Sequence, residues 1–301
     1  MSPSPPFVAL RTYAAIRISI VAVILGLAVS VILEIRRVDG CVQRSLSAYY
    51  YTPARSIFVG ALIALGVAMI ALWGKTAAED AFFNLAGMLA PVVAFVPTLD
   101  ANSCGISKAV QTAQTQKSLD DALIDANAPS VHNNFVALVA VLVGVLLFTL
   151  IGGIVRYRTT DTPPSMQALV GFIATWIAAA AAVVFFVIVY QDADDNDSFF
   201  NHRLHYVSAI VLFGFVILAV AAAAVKKRID SGPWTAWEIG YWVLAVVMAG
   251  SALVIKLTAG SDGSWYDRHS TFVMEAILIG LLAVFWVVQT IDRRHDGAPT
   301  Y

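Results

Sequence analysis

Eight stretches of the chain, residues 14–34, 56–74, 82–99, 134–155, 167–190, 204–225, 235–258 and 271–291, are almost continuously apolar. Each is long enough to cross a hydrocarbon core of about 30 Å as a helix. Lipid offers no partner to a peptide group, so a chain built of such stretches must bond its backbone within each of them, as α-helices do. Composition agrees: 59% of the 301 residues are hydrophobic and 13% are charged, against roughly 25% charged in a soluble domain. The sequence therefore predicts an all-α, polytopic transmembrane bundle of eight spans, forming a single integral membrane domain over residues 1–301. A net charge of −1 gives no electrostatic footprint for nucleic acid, which leaves membrane lipids as the partners that composition implies.

The amino-terminal Met1-Ser2-Pro3-Ser4-Pro5-Pro6 lacks the charged start of a signal peptide, so the first apolar stretch is expected to stay as the first span. The third stretch contains Asn84, Pro91 and Pro97. A proline removes a backbone donor and is tolerated where neighbouring helices re-satisfy the freed carbonyl, which predicts a span enclosed by others.

Eight spans put both termini on one side. Arg11, Arg17, Lys75, Arg156, Arg158, Lys226, Lys227, Arg228, Arg293 and Arg294 then share that side. The acidic connections, with Asp120, Asp121 and Asp125, residues 192–197, Asp262 and Asp267, fall on the other. The positive-inside rule makes the basic side cytoplasmic, with N-in and C-in orientation in a bacterial inner membrane. Arg36, Arg37, Arg44 and Arg55 run against this count. Residues 100–133 become a long extracytoplasmic loop, in which residues 105–126 read as a short amphipathic helix. Cys41 and Cys104 both fall on the oxidising side, where they either form a disulfide or remain two thiols; the bridge would pin the Tyr49–Tyr51 loop to the 100–133 loop. Small residues at four-residue spacing, Gly60 with Ala64 and the run 178–182, predict close helix contacts.

Polar residues are scarce and share a depth. Glu34, Arg55, Asp100, His132, His205, Lys256, His269 and Glu275 all fall near the outer ends of their spans. Ionisable groups at that depth are costly unless paired or facing water, which predicts an outward-facing vestibule lined by the second, third, sixth and eighth spans. Tyr50, Tyr51, Arg55 and Asp100 are its candidate ligand-binding residues, the guanidinium fork of Arg55 suiting an anionic headgroup. The plainer reading is an interfacial tyrosine belt with Arg55 paired to Asp100. Glu275 and His205 are the candidate catalytic residues. Glu275 is read either as closing its helix against Arg268 or as a proton acceptor facing the vestibule beside Arg55.

His202 and His205 share a helical face and, with His269 or an aspartate of residues 192–197, would supply three ligands to an open zinc site. The alternative is ordinary interfacial histidines. The run Asp192-Ala193-Asp194-Asp195-Asn196-Asp197 lacks the glycine and closing glutamate of a calcium loop and reads as a solvated acidic turn.

The segment Ser47-Ala48-Tyr49-Tyr50-Tyr51-Thr52 with Arg55 and Phe58-Val59-Gly60 resembles an element of bacterial multi-pass membrane proteins of unassigned function, as do Asn84-Leu85-Ala86-Gly87, Val96-Pro97-Thr98 and the His205/Ser208-Ala209 helix start. More remotely the chain is similar to the alkaline ceramidase and adiponectin receptor superfamily, which implies zinc-dependent hydrolysis in a seven-helix bundle. It departs from that pattern where Ser47 is followed by Tyr51 in place of histidine, and where His202 meets His205 at the wrong spacing.

These observations converge on a membrane protein that binds a lipid headgroup or small amphiphile in an extracytoplasmic vestibule, with metal-assisted hydrolysis as the reaction to test first. The alternatives are a proton-coupled transporter and a non-catalytic structural or assembly subunit. A transporter needs polar groups at mid-depth, where only Asn84, Thr149 and Ser251 come close.

Overall fold

The computed structural model describes residues 7–106, 115–159, 166–230, 234–260 and 263–293, which excludes Asp262, Arg294 and part of the loop helix read at 105–126. Among the described residues every regular element is helical. The helices are α1 (Phe7–Arg37), α2 (Arg55–Ala71), α3 (Ala77–Phe95), α4 (Gln116–Thr159), α5 (Met166–Tyr190), the single turn α6 (Phe199–His202), α7 (Leu204–Asp230), α8 (Ala236–Thr258) and α9 (Trp265–Asp292). A 3-10 turn, Ser47–Tyr51, lies between α1 and α2. Seven of the helices are long and apolar enough to span a membrane, and the protein is a multi-pass α-helical membrane protein. The eighth expected span, α2, has 17 residues, about 26 Å of helix, and runs beside α3 between the same two ends of the bundle.

Six helices close a ring in the order α1, α2, α3, α7, α8, α9, each packed on the next and α9 returning to α1. Its interior is filled by Phe58, Phe83, Tyr241, Met248, Phe285 and Trp286. The α4–α5 pair lies outside the ring against α3, around a second cluster centred on Phe135, Phe186 and Phe200. Outward faces carry exposed large apolar residues such as Val141, Phe148, Ile177, Ile210 and Val246, the composition that lipid, not water, stabilises.

Helix starts follow capping chemistry. Thr76, Ser198, Thr235 and Ser264 each accept a hydrogen bond from the backbone N–H three residues on, those of Glu79, Asn201, Glu238 and Asp267. Helices α2 and α3 approach closely at Gly66 and Gly87. A methyl group on either would sit 2.7 Å or 2.6 Å from the other's carbonyl oxygen. Pro91, four residues after Gly87, cannot donate to that carbonyl, which turns instead to the glycine of the neighbouring helix. Gly60, by contrast, has nothing within 4 Å of where a side chain would start, so the close contact falls six residues further along α2 than the small-residue spacing predicts.

The connection after α3 also differs from expectation. Among the described residues no separate loop helix precedes the fourth span: α4 runs unbroken for 44 residues with Pro129 inside it. Pro129 is exposed, so its ring meets solvent and the carbonyl it leaves unbonded can be hydrated. At 1.5 Å per residue α4 is about 66 Å long, and its first turns stand clear of the bundle to pack Leu119 and Leu123 on Ala48, Ala101 and Ile106.

Candidate functional site

One end of the bundle is closed by a cap built from residues 38–54 and 96–106. Cys41 and Cys104 join these two segments by a disulfide. Around it, Asn102 donates from its backbone to Gln43 at 2.8 Å and from its side chain to the Val42 carbonyl at 2.7 Å. Gln43 donates to the Cys104 carbonyl at 2.5 Å and Arg44 to the Asn102 amide oxygen at 3.0 Å. The α1 terminus joins in: Glu34 accepts two bonds from Arg37 and lies where a side chain on Gly105, at φ +77°, would meet it.

Glu275 anchors the cap from below. One carboxylate oxygen accepts from the Leu46 backbone N–H at 2.6 Å, the other from Ser47 Oγ at 3.1 Å. Neither expected partner is used: Arg268 donates to the Gly263 carbonyl, and Arg55 donates to the Tyr50 hydroxyl, with its guanidinium carbon 3.9 Å from the Tyr50 ring centre, and to Asn127 at 3.3 Å. The orphan N–H that opens the 3-10 turn is the stronger claim on a buried acceptor, because it cannot move away. Asp100 lies near enough to Glu275 to act on it electrostatically and has the Thr271 hydroxyl beside it. Burial pushes the Asp100 carboxyl above its ordinary range, outweighing the charge of Arg44 and the Thr271 hydroxyl. Burial also raises Tyr49 to about 12, and raises Tyr50 against the nearby Arg55.

The three histidines go separate ways. His202 is exposed beside Asp197, 3.9 Å away. His205 is buried and donates from Nδ1 to the Val96 carbonyl at 2.6 Å, while its Nε2 meets no hydrogen-bond partner. Both ring nitrogens of His269 face carbonyl oxygens, of Trp265 at 2.7 Å and Val42 at 3.2 Å. Among the described residues no three His, Cys, Asp or Glu side chains gather as metal ligands, so this donor set does not fit a zinc ion. The mid-depth hydroxyls bond their own helices, Thr149 to the Leu146 carbonyl and Ser251 to that of Met248.

A cleft of about 250 Å³ opens at this end between the α3 terminus, α4 and the α5–α6 turn. Val96, Leu99, Leu123, Val131 and Phe200 form its apolar floor, and Asn127, His132, Asp194 and Asn201 its polar edge. The His132 and Tyr190 side chains hydrogen-bond to each other there. Of the expected ligand-binding residues only Tyr51 lines it; Tyr50 and Asp100 belong to the cap, and Arg55, at the start of α2, reaches the edge residue Asn127.

Sequence reading passed over a second polar centre at the opposite, basic end. Glu79 is buried, and its carboxylate receives Arg293 at 2.9 and 3.1 Å, Gln289 at 3.0 Å and the Lys75 backbone N–H at 2.9 Å. The Thr76-x-x-Glu79 spacing of a capping box was the signal available, but it accounts for Glu79 by its own helix and conceals the partner on α9.

A ring of membrane-crossing helices, capped at one end through a disulfide and knotted at the other by buried ions, defines a multi-pass helical membrane protein with two polar ends. No family model matches the chain, and no curated protein or solved structure does so either.

Proposed function

We propose that the protein is a bacterial inner-membrane protein, with its basic end in the cytoplasm, that holds a small amphiphile in the cleft beside the extracytoplasmic cap. The observation that carries this reading is the lining of the cleft. An apolar floor of Val96, Leu123, Val131 and Phe200 ends in a polar edge of Asn127, His132 and Asn201, the arrangement a ligand with one apolar and one hydrogen-bonding end requires. His132 is bonded to Tyr190 and the Glu275 carboxylate to the cap, which favours holding a ligand over hydrolysis as the reading of this site.

The cleft is tested by filling it. Ala128 is exposed and borders it, so Ala128→Trp occupies the space without entering either core. Native mass spectrometry of protein released from lipid nanodiscs is expected to show a small amphiphilic adduct on the wild type that Ala128→Trp lacks. The same adduct on both proteins sinks the proposal.

A further inference from the structure

At the basic end, the end of α7, the face of α8, the end of α9 and the α2–α3 connection enclose a second cavity of about 240 Å³. Its wall carries four cations, Lys75, Lys226, Lys227 and Arg293, against two carboxylates, Asp230 and Asp292. Several of these groups are held from behind. Asp292 is almost fully buried and receives Lys227 at 2.7 Å and the Tyr241 hydroxyl at 3.1 Å. Arg293 is fixed by Glu79. Lys226 and Asp230, paired at 2.6 Å, stand partly in solvent at the mouth, as do Lys75 and Lys227. Arg17, 8% exposed, adds positive charge beside Arg293 and Tyr241, and its Nε has no hydrogen-bond partner.

With Glu79 behind Arg293 and with Arg17 included, five cations stand against three carboxylates, and a concave site with such a surplus and low-dielectric walls concentrates anions. Basic pockets between transmembrane helices on the cytoplasmic side are where anionic headgroups bind. A bilayer anion here would meet side chains already oriented by Asp292, Tyr241 and Glu79, so little rotamer freedom remains to be lost on binding. We infer that the pocket formed by Lys75, Lys226, Lys227 and Arg293 binds a phosphate group, presented by an anionic phospholipid or as free phosphate.

Detergent-purified full-length protein is titrated by isothermal calorimetry with dihexanoyl phosphatidylglycerol, inorganic phosphate, and dihexanoyl phosphatidylcholine as the zwitterionic control. Phosphatidylglycerol is expected to bind at least tenfold more tightly than phosphatidylcholine. Binding of inorganic phosphate as well identifies free phosphate as a ligand, and its failure identifies the lipid as the source; either supports the site. Lys226→Gln/Lys227→Gln is expected to weaken phosphatidylglycerol at least tenfold, while Lys226→Arg/Lys227→Arg retains it. Because the glutamine pair strands buried Asp292, Asp230→Asn serves as the second variant: it removes a half-exposed carboxylate from the mouth and is expected to tighten binding severalfold. Equal affinity for the two lipids, or no response to Asp230→Asn, overturns the inference.

Discussion

Glu79, in the first turn of α3, and Arg293, at the end of α9, form a doubly bonded ion pair across 214 residues of sequence, with both side chains at most 5% exposed. Removing one partner of such a pair leaves an uncompensated buried charge, at a cost of about 3–5 kcal/mol. Arg293→Met is therefore expected to lower stability by about that amount, measured by reversible unfolding in mixed micelles. Glu79→Gln/Arg293→Met should recover part of the loss, because no orphan charge remains; additive losses would show that the two side chains are not coupled.

Glu275 is expected to matter to stability through the cap. Glu275→Ala strands the Leu46 N–H and the Ser47 hydroxyl and should cost about 1–3 kcal/mol. The local signature is hydrogen exchange: the Leu46 amide should lose its protection while amides of the α3 core keep theirs. Unchanged exchange at Leu46 would contradict the bond between them.

Asp100 gives the cap a pH dependence. Burial raises its carboxyl against the pull of Arg44 and Thr271, so the folded chain holds this proton more firmly than the unfolded one. The contribution is fully favourable below the unfolded value of about 3.9 and is lost as pH rises through the raised folded value. Asp100→Asn should flatten that decline and raise the unfolding midpoint at neutral pH, with little difference at pH 3. A variant less stable at neutral pH would mean that the charged form is the one the fold favours.

The α2–α3 crossing should tolerate no side chain. Gly87→Ala places a methyl 2.6 Å from the Gly66 carbonyl oxygen and 2.7 Å from Ile70; neither helix backbone can yield locally, and overpacking of this kind costs about 1–3 kcal/mol. Gly60→Ala, with open space around it, is the neutral control, and thermal unfolding of the two variants distinguishes them.

Cys41–Cys104 closes a segment with a sequence separation of 63. Chain-entropy arguments place the stabilisation at up to about 4 kcal/mol, so Cys41→Ser/Cys104→Ser should unfold earlier by as much as that. In intact cells a membrane-impermeant maleimide should label the wild type only after an impermeant reductant. Labelling that requires permeabilisation would reverse the proposed orientation.

The spans were legible because lipid imposes one requirement on every residue of a stretch, and eight apolar runs report it directly. Their helices α1 to α5 and α7 to α9 stand where those runs lie, and the Cys41–Cys104 bond agrees with a topology that places both cysteines at one end. Partners were less legible. Glu275 was singled out as a candidate catalytic residue near the outer end of its span; the structure buries it, and its bonds go to a backbone N–H and a serine 228 residues or more away, and backbone donors carry no mark in sequence. Glu79 was not singled out, because its one mark in the sequence, the Thr76-x-x-Glu79 spacing, points to its own helix and not to Arg293. The short helix and connector expected over residues 105–126 gave way to a continuous α4 from Gln116, because Leu119 and Leu123 find a surface on Ala48, Ala101 and Ile106, and such a partner is fixed by packing and not by composition.

The covalent link at the cap has a topological outcome. Cys41 and Cys104 bracket α2 and α3, so the two helices belong to a closed loop whose ends cannot separate. A single protease cut anywhere between residues 42 and 103 leaves one covalent molecule, and the two fragments part on a gel only after thiol treatment. The hairpin at the heart of the ring can thus lose its backbone continuity without escaping into the bilayer.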